Sequence, residues 1–218
     1  MSNIKDDNIP TVAAIKRLGR YLKELRPLLK KNVEAVSASQ LSRELGIHET
    51  QIRRDLALIG LEGKPKIGHD LKEVTRVIES YLNVDNTSDS ILVGVGHLGT
   101  ALLAYNSYGK FENSGIRIVS AFDKDPGVVG TQIHGINVFD ISKMENLIER
   151  MSINIGIITT NPENAQDIAD HMIHAGITAI WNFAPVNLKL PAEVIVENAE
   201  IETGLTYISH MLKNRLKK

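Results

Sequence analysis

Apolar residues recur along this chain in two rhythms. In the first third the rhythm is helical: Val12, Ile15, Leu18, Leu22, Leu25 and Leu29 stand three or four positions apart, which predicts one amphipathic helix. Pro10 and Thr11 stand where such a helix starts, and Pro27 where its last turns should be perturbed. Ser37 with Gln40 three residues on has the form of a capping box, Leu41 and Leu45 give a short helix its inner face, and Gly46 ends it. A second helix follows over Glu49 to Leu58, with Ile52, Leu56 and Ile59 inward. Two short helices joined at a glycine form a helix-turn-helix. The glycine- and lysine-rich stretch Gly60 to His69 reads as a β-hairpin wing, with a plain solvated turn as the alternative. A further helix over Asp70 to Leu82 packs through Leu71, Val74, Val77 or Ile78, and Tyr81.

From Ser90 onward the rhythm changes. Short apolar runs at 90–95, 116–122, 153–159, 177–182 and 193–197 alternate with helical patterns at 98–108, 142–151, 163–175 and 200–216. Such β-α alternation implies a parallel, doubly wound sheet with its ligand at the C-terminal edge of the strands. The polar run Asn83 to Ser90 separates the two rhythms and places the domain boundary. The fold class expected is therefore α/β: a winged helix-turn-helix domain over 1–84, then a Rossmann domain.

The first Rossmann strand runs into Gly94-Val95-Gly96-His97-Leu98-Gly99. Glycines between a strand and a helix let the backbone approach a pyrophosphate, whose charge then sits on the helix N-terminus. Asp123 ends the next apolar run, 24 residues past Gly99, where a carboxylate accepts from ribose hydroxyls and repels a 2′-phosphate. Lys124 stands beside it. NAD, as NADH or NAD+, is the cofactor expected, against a glycine turn without a ligand. Thr160, Asn161, Asn182, Phe183 and Ala184 fall on the same strand edge and complete the candidate site.

Composition narrows the classes. The 218 residues include no cysteine, which removes disulfides, thiolate catalysis and thiolate metal sites; no metal site and no catalytic residue is expected. No apolar run reaches the length of a membrane span, and residues 1–7 lack a signal-peptide pattern, so a soluble, cytoplasmic protein is expected. The net charge of −1 divides unevenly: residues 1–84 hold 15 Lys and Arg against 11 Asp and Glu, the rest 10 against 15. A basic first third suits double-stranded DNA. On the second short helix Thr50, Gln51, Arg53 and Arg54 surround Ile52; glutamine pairs with adenine, and arginine with guanine or phosphate. Ser39, Lys64 and Lys66 are the backbone contacts expected.

Taken together, the chain resembles the Rex family, the redox-sensing transcriptional repressors of bacteria. The resemblance rests on Ile9-Pro10, Arg17-Leu18, Tyr21 and Leu25, and on Gln51-Ile52-Arg53-Arg54-Asp55-Leu56. It continues through Gly60-x-x-Gly63-Lys64, the glycine turn, Ala121-Phe122-Asp123-x-Asp125-Pro126, Asn182-Phe183-Ala184-Pro185 and Val196-Glu197-Asn198. It implies a homodimer on a palindromic operator, held on DNA without nucleotide or with NAD+ and released by NADH. It further implies a C-terminal helix, over 200–218, swapped between subunits, after a Rossmann domain over 85–199. Tyr105, Arg17 and Glu200 occupy positions that in the family form a conformation-sensitive contact set, with Tyr105 near the cofactor. Departures are Ala57-Leu58-Ile59-Gly60 at the helix exit, Lys66-Ile67-Gly68-His69 where the wing usually ends in tyrosine, Gly19 for a frequent proline, and His97 inside the glycine turn. Two other functions compete: an NAD-dependent oxidoreductase, for which no convincing acid/base pair accompanies the turn, and a CoA- or nucleotide-responsive regulator on the same scaffold.

Overall fold

The computed structural model describes residues 11–64 and 67–215. Pro10 and Lys66 lie outside the described residues. The chain divides into two compact units, one ending at Asn86 and the other beginning at Thr87.

The first unit begins with α1 (Val12–Lys30), capped by Thr11, whose hydroxyl accepts from the Ala14 N–H. The buried stripe is Ala14, Leu18, Tyr21, Leu22 and Leu25. Val12 and Ile15, expected in that stripe, are 66% and 42% exposed, because Ala14 is the residue of that turn that faces the core. Pro27 is accommodated inside the helix: its missing N–H costs one bond, while Leu28 and Leu29 pack on the core and hold the last turn.

A short strand β1 (Ala35–Val36) leads into α2 (Ala38–Leu45). Ser37 Oγ accepts from the Gln40 N–H at 3.1 Å, and Gly46, at φ 64°, closes the helix in the left-handed region. The second helix of the pair, α3 (Glu49–Leu58), buries Ile52, Leu56 and, unexpectedly, Asp55. β2 (His69–Asp70) pairs antiparallel with β1, and α4 (Leu71–Tyr81) closes the core with Leu71, Val74, Thr75 and Ile78. The segment read as a hairpin wing is narrower than a regular hairpin: Lys64 and Gly68 form a single antiparallel bridge, and β2 pairs with β1 instead. Gly68 is at φ +89°, and a Cβ there would stand 2.4 Å from the Val36 carbonyl oxygen.

One polar interaction ties α1 to α3. The Asp55 carboxylate, fully buried, accepts from Arg17 Nε (2.6 Å) and Nη2 (2.7 Å), from the Tyr21 hydroxyl (2.6 Å) and from Gln51 Nε2 (2.8 Å). Burial by itself raises the Asp55 pKa, but the bonds from Arg17, Tyr21 and Gln51 outweigh it and hold the carboxyl below its ordinary range. The same cluster pushes the Tyr21 phenol up, through burial and its bond to Asp55.

The second unit is a seven-stranded sheet in the order β5-β6-β4-β3-β7-β8-β9. Its strands are β3 (Ser88–Val93), β4 (Ile116–Asp123), β5 (Gln132–Ile133), β6 (Ile136–Asp140), β7 (Ile155–Ile158), β8 (Ala179–Asn182) and β9 (Ile195–Asn198). All neighbours are parallel except β5 with β6. From β6 to β9 this is the doubly wound order of dinucleotide-binding folds. The pair β5–β6 was not anticipated; the helices α5 (His97–Ser107), α6 (Met144–Met151) and α7 (Pro162–His174) fall where the sequence places them. α6 and α7 cover one face through Met144, Ile148, Ala165, Ala169 and Met172 over Ile91, Val93, Phe122 and Ile158. Leu103 of α5 and Phe111 cover part of the other face, over Leu92, Ile118, Ala121 and Ile157. Over β7 to β9 that face opens into an apolar cleft of about 470 Å3 lined by Tyr105, Phe111, Ile157, Trp181 and Ile195. The last helix, α8 (Ile201–Arg215), exposes Leu205, Tyr207, Ile208, Met211 and Leu212.

Replacing Asp55 by Ala leaves Arg17 and Tyr21 without their acceptor, and the expected cost is about 3–5 kcal/mol of unfolding free energy in denaturant titrations. Because the folded pKa lies below the unfolded one, this contribution is complete above about pH 5, begins to fall as the unfolded carboxyl protonates near pH 4, and is lost as pH falls through the lower folded value. Asp55→Asn should flatten that acid limb.

Candidate functional site

β3 ends at Val93 and the chain turns through Gly94 and Gly96 into α5. Gly94 is at φ +101°, and a Cβ there would meet Thr160 Cγ2 at 2.8 Å and the Thr159 carbonyl at 2.9 Å. A Cβ on Gly99 would stand 2.0 Å from the Gly94 oxygen, so helix and strand approach too closely for any side chain. Gly96 differs: its Cβ position meets nothing within 4 Å. It caps α5 without a side chain, which leaves the first-turn N–H groups facing open space.

Two side chains hold this turn. The Thr159 hydroxyl, at the end of β7, donates to the Gly94 carbonyl at 2.6 Å and lies 3.1 Å from that of Val93. Asp123 Oδ2 accepts from the Val95 N–H at 2.6 Å, while Oδ1 accepts from the N–H groups of Lys124 and Asp125 at 2.7 and 3.0 Å. The carboxylate expected to face a ribose is thus also a brace for the turn, each oxygen keeping acceptor capacity for a ligand. The strand-edge run Thr159 to Pro162 is a candidate from sequence, but the bracing role of the Thr159 hydroxyl shows only in the structure.

A cleft of about 440 Å3 opens at this edge of the sheet. Gly94, Val95, Gly96, Asp123, Lys124, Thr160 and Asn161, all singled out from the sequence, line it together with Asp125, Val128, Asn164 and Asp167. Thr160 Oγ1 is buried without a hydrogen-bond partner among the described residues. His97, Leu98 and Gly99 form the first turn of α5 beside the cleft, with His97 exposed.

Other expected cofactor residues lie elsewhere. Tyr105 is eight residues beyond His97, about 12 Å along α5. It is 49% exposed and sets its ring against Phe111 at 5.1 Å, so it belongs to the apolar cleft. Asn182, Phe183 and Ala184 line a separate cleft of about 530 Å3 with Pro185, Asn198 and Glu200. Asn182 is fully buried; its Nδ2 donates to Ala184 O, Val186 O and Asn198 Oδ1, and its Oδ1 accepts from Ala184 N–H. Its polar groups serve the 183–186 loop rather than a ligand.

In the first unit, Thr50, Arg53 and Arg54 are exposed on α3. Gln51, expected to read adenine, is held by Asp55 instead, and Arg53 folds back on Glu49 one turn earlier. A groove of about 710 Å3 brings together Ser39, Arg53 and Lys64 between the start of α2, the side of α3 and the 61–64 loop.

The sequence and the fold have matches among known proteins. Residues 85–186 match the family model "CoA binding domain", and residues 8–57 match "Putative DNA-binding protein N-terminus". The chain is 38% identical over 208 residues to the redox-sensing transcriptional repressor Rex of Clostridium beijerinckii, covering 95% of this chain and 97% of that one. The Rex protein of Bacteroides fragilis is 33% identical, with 95% and 93% covered. The chain belongs to the Rex family. Among solved Rex-family structures, RSP in complex with NAD+ and operator DNA matches with a TM-score of 0.86 and 38% identity, over 95% of this chain and 94% of that one. RSP in complex with NADH matches with a TM-score of 0.84 and 37% identity, over 95% and 96%. A winged-helix unit followed by a Rossmann unit is thus the Rex architecture, and these relatives are named as repressors rather than enzymes.

The two turn glycines should behave differently. Gly99→Ala is expected to lower the thermal midpoint, whereas Gly96→Ala should leave it unchanged; differential scanning calorimetry of the two variants checks the contrast.

Proposed function

We propose that this Rex-family chain represses transcription by binding operator DNA in the nucleotide-free or NAD+ state and leaving it when NADH binds. The observation that carries this reading is the likeness, over about 95% of both chains, to a repressor seen with NAD+ and operator DNA and, separately, with NADH. The glycine turn, the open N-terminus of α5 and the unpartnered Thr160 hydroxyl supply donors for a pyrophosphate and its riboses. Residues 1–84 serve DNA, 85–199 the dinucleotide and 200–218 the dimer.

Discrimination follows from charge. NAD+ and NADH differ by one positive charge on the nicotinamide; for a dinucleotide that reaches from the glycine-turn cleft to the separate cleft beside Phe183, Ala184 and Pro185, burying that charge against those apolar side chains is costly. A difference of roughly 3–4 kcal/mol amounts to a several-hundredfold preference for NADH. A ligand shifts the DNA-competent population only by its differential affinity for the two states. The exposed apolar side of α8 and the open apolar cleft over β7 to β9 support a homodimer in which each chain's last helix lies on its partner. A palindromic operator then matches the two-fold symmetry. No helix among the described residues is long and apolar enough to cross a membrane, and a repressor of this kind works in the cytoplasm, on the chromosome.

An oxidoreductase reading finds no histidine in the described cleft lining, and of its three carboxylates, Asp123, Asp125 and Asp167, the first two accept from backbone N–H groups. The CoA reading draws on the matched family model, yet the same three carboxylates oppose the 3′-phosphate of CoA. Competition between NADH and CoA decides between them.

The central test is a gel shift on a palindromic duplex with NAD+ and NADH titrated separately. Retention with NAD+ and release by NADH are expected; a complex indifferent to both nucleotides defeats the proposal. Arg54→Ala should weaken DNA binding and leave the NADH titration unchanged. Gly96→Ala, which places a methyl in the cleft, should keep DNA binding and lose the response to NADH.

A further inference from the structure

His69 is the irregular residue of the winged-helix unit. It is only 9% exposed, on β2, yet among the described residues its ring has no hydrogen bond. The ring packs on Gly63, where a Cβ would come within 2.9 Å of Nε2. It lines the groove that also holds Ser37, Ser39, Arg53 and Lys64. That groove lies at the N-terminus of α2, where Ser37 Oγ caps the Gln40 N–H and the helix supplies no acceptor for the N–H groups of Ala38 and Ser39. Helix N–H groups, a serine hydroxyl, a guanidinium, an ammonium and an imidazole converge on one opening. Each of these groups donates to an anion.

We propose that this groove is a seat for one DNA backbone phosphate, and that His69 makes operator binding draw a proton from solution. The seat rests on the DNA-binding function proposed above and adds to it a position and a proton. Arg53 is the mobile member: its guanidinium is spent on Glu49 in the free protein and exchanges that carboxylate for phosphate.

The groups facing His69 set the sign. Arg53 of α3 and Glu73 of α4 act on it directly, and Glu62 and Lys64 of the 61–64 loop share its groove. β1 and the start of α2 bring only Val36, Ser37, Ala38 and Ser39. Asp70, its neighbour, is occupied with capping the Glu73 N–H. In the free protein burial, and then Arg53, lower the imidazole's pKa, with Glu73 opposing, so the ring is neutral at pH 7.5. A phosphate in the seat favours the charged ring and raises that pKa. The pKa is therefore higher with DNA than without it, so binding takes up a proton and tightens as pH falls toward the free-protein value.

The test uses the full chain without nucleotide and a fluorescent duplex that the protein itself selects from a random-core library at pH 7.5. Anisotropy titrations at pH 7.5 and 5.8 should show about a three- to tenfold gain in affinity at the lower pH. His69→Gln should abolish the gain. His48→Gln, at the cap of α3, should keep the gain. A proton NMR titration of the parent should show the His69 midpoint rising when the duplex is added, a reading independent of whether the variant folds. A pH gain that persists in His69→Gln, or an unmoved midpoint, overturns the seat and leaves the repressor reading intact. Failure to select any duplex overturns DNA binding itself, and the seat with it.

Discussion

The Asp55 carboxylate governs the winged-helix unit because its acceptor capacity is used up. A carboxylate offers about four lone-pair sites, and Arg17, Tyr21 and Gln51 fill them with four short hydrogen bonds. With two of those donors on α1 and the third on α3 itself, α3 cannot roll about its axis without stranding a buried charge. The Arg17 side chain is 23% exposed, so this buried pair remains accessible from outside the core. Buried ion pairs often add little net stability, their contribution being orientation rather than energy. The orientation fixed here turns Thr50, Arg53 and Arg54 outward and withdraws Gln51.

The Rossmann unit relies on an analogous constraint made of backbone. Gly94 and Gly99 are glycines because strand, helix and the end of β7 converge there without room for a Cβ. Gly96 is glycine for the opposite reason, since the space beside it is open. Thr159 and Asp123 then fix the turn from two neighbouring strands. The turn is thus held in one geometry by the C-terminal edge of the sheet.

Most of this architecture was legible because buried parallel strands read as continuous apolar runs and surface helices as periodic ones. β5 and β6 escaped because the first is two residues long and lies within Gly127 to Gly135, where three glycines interrupt any apolar run, and the second is only five residues long. Pattern alone also misjudged Val12 and Ile15, which are apolar and exposed, and Asp55, which is charged and buried. Whether an apolar side chain finds a partner depends on which elements pack beside it. The candidate cofactor residues separated in the same way: those at the glycine turn and the ends of β4 and β7 converged, while Tyr105, Phe183 and Ala184 fell on other surfaces and Asn182 was consumed by its own loop.

The aromatic row on the sheet's second face makes the molecule observable. Trp181 is the single tryptophan of the chain, with Phe183 at 4.5 Å on one side and Phe111 at 5.8 Å on the other. Indole emission overlaps the absorption of reduced nicotinamide but not that of the oxidised form. The protein therefore carries an internal fluorophore beside the loop that begins at Phe183, one that a reduced nicotinamide held within energy-transfer range would quench and an oxidised one would not.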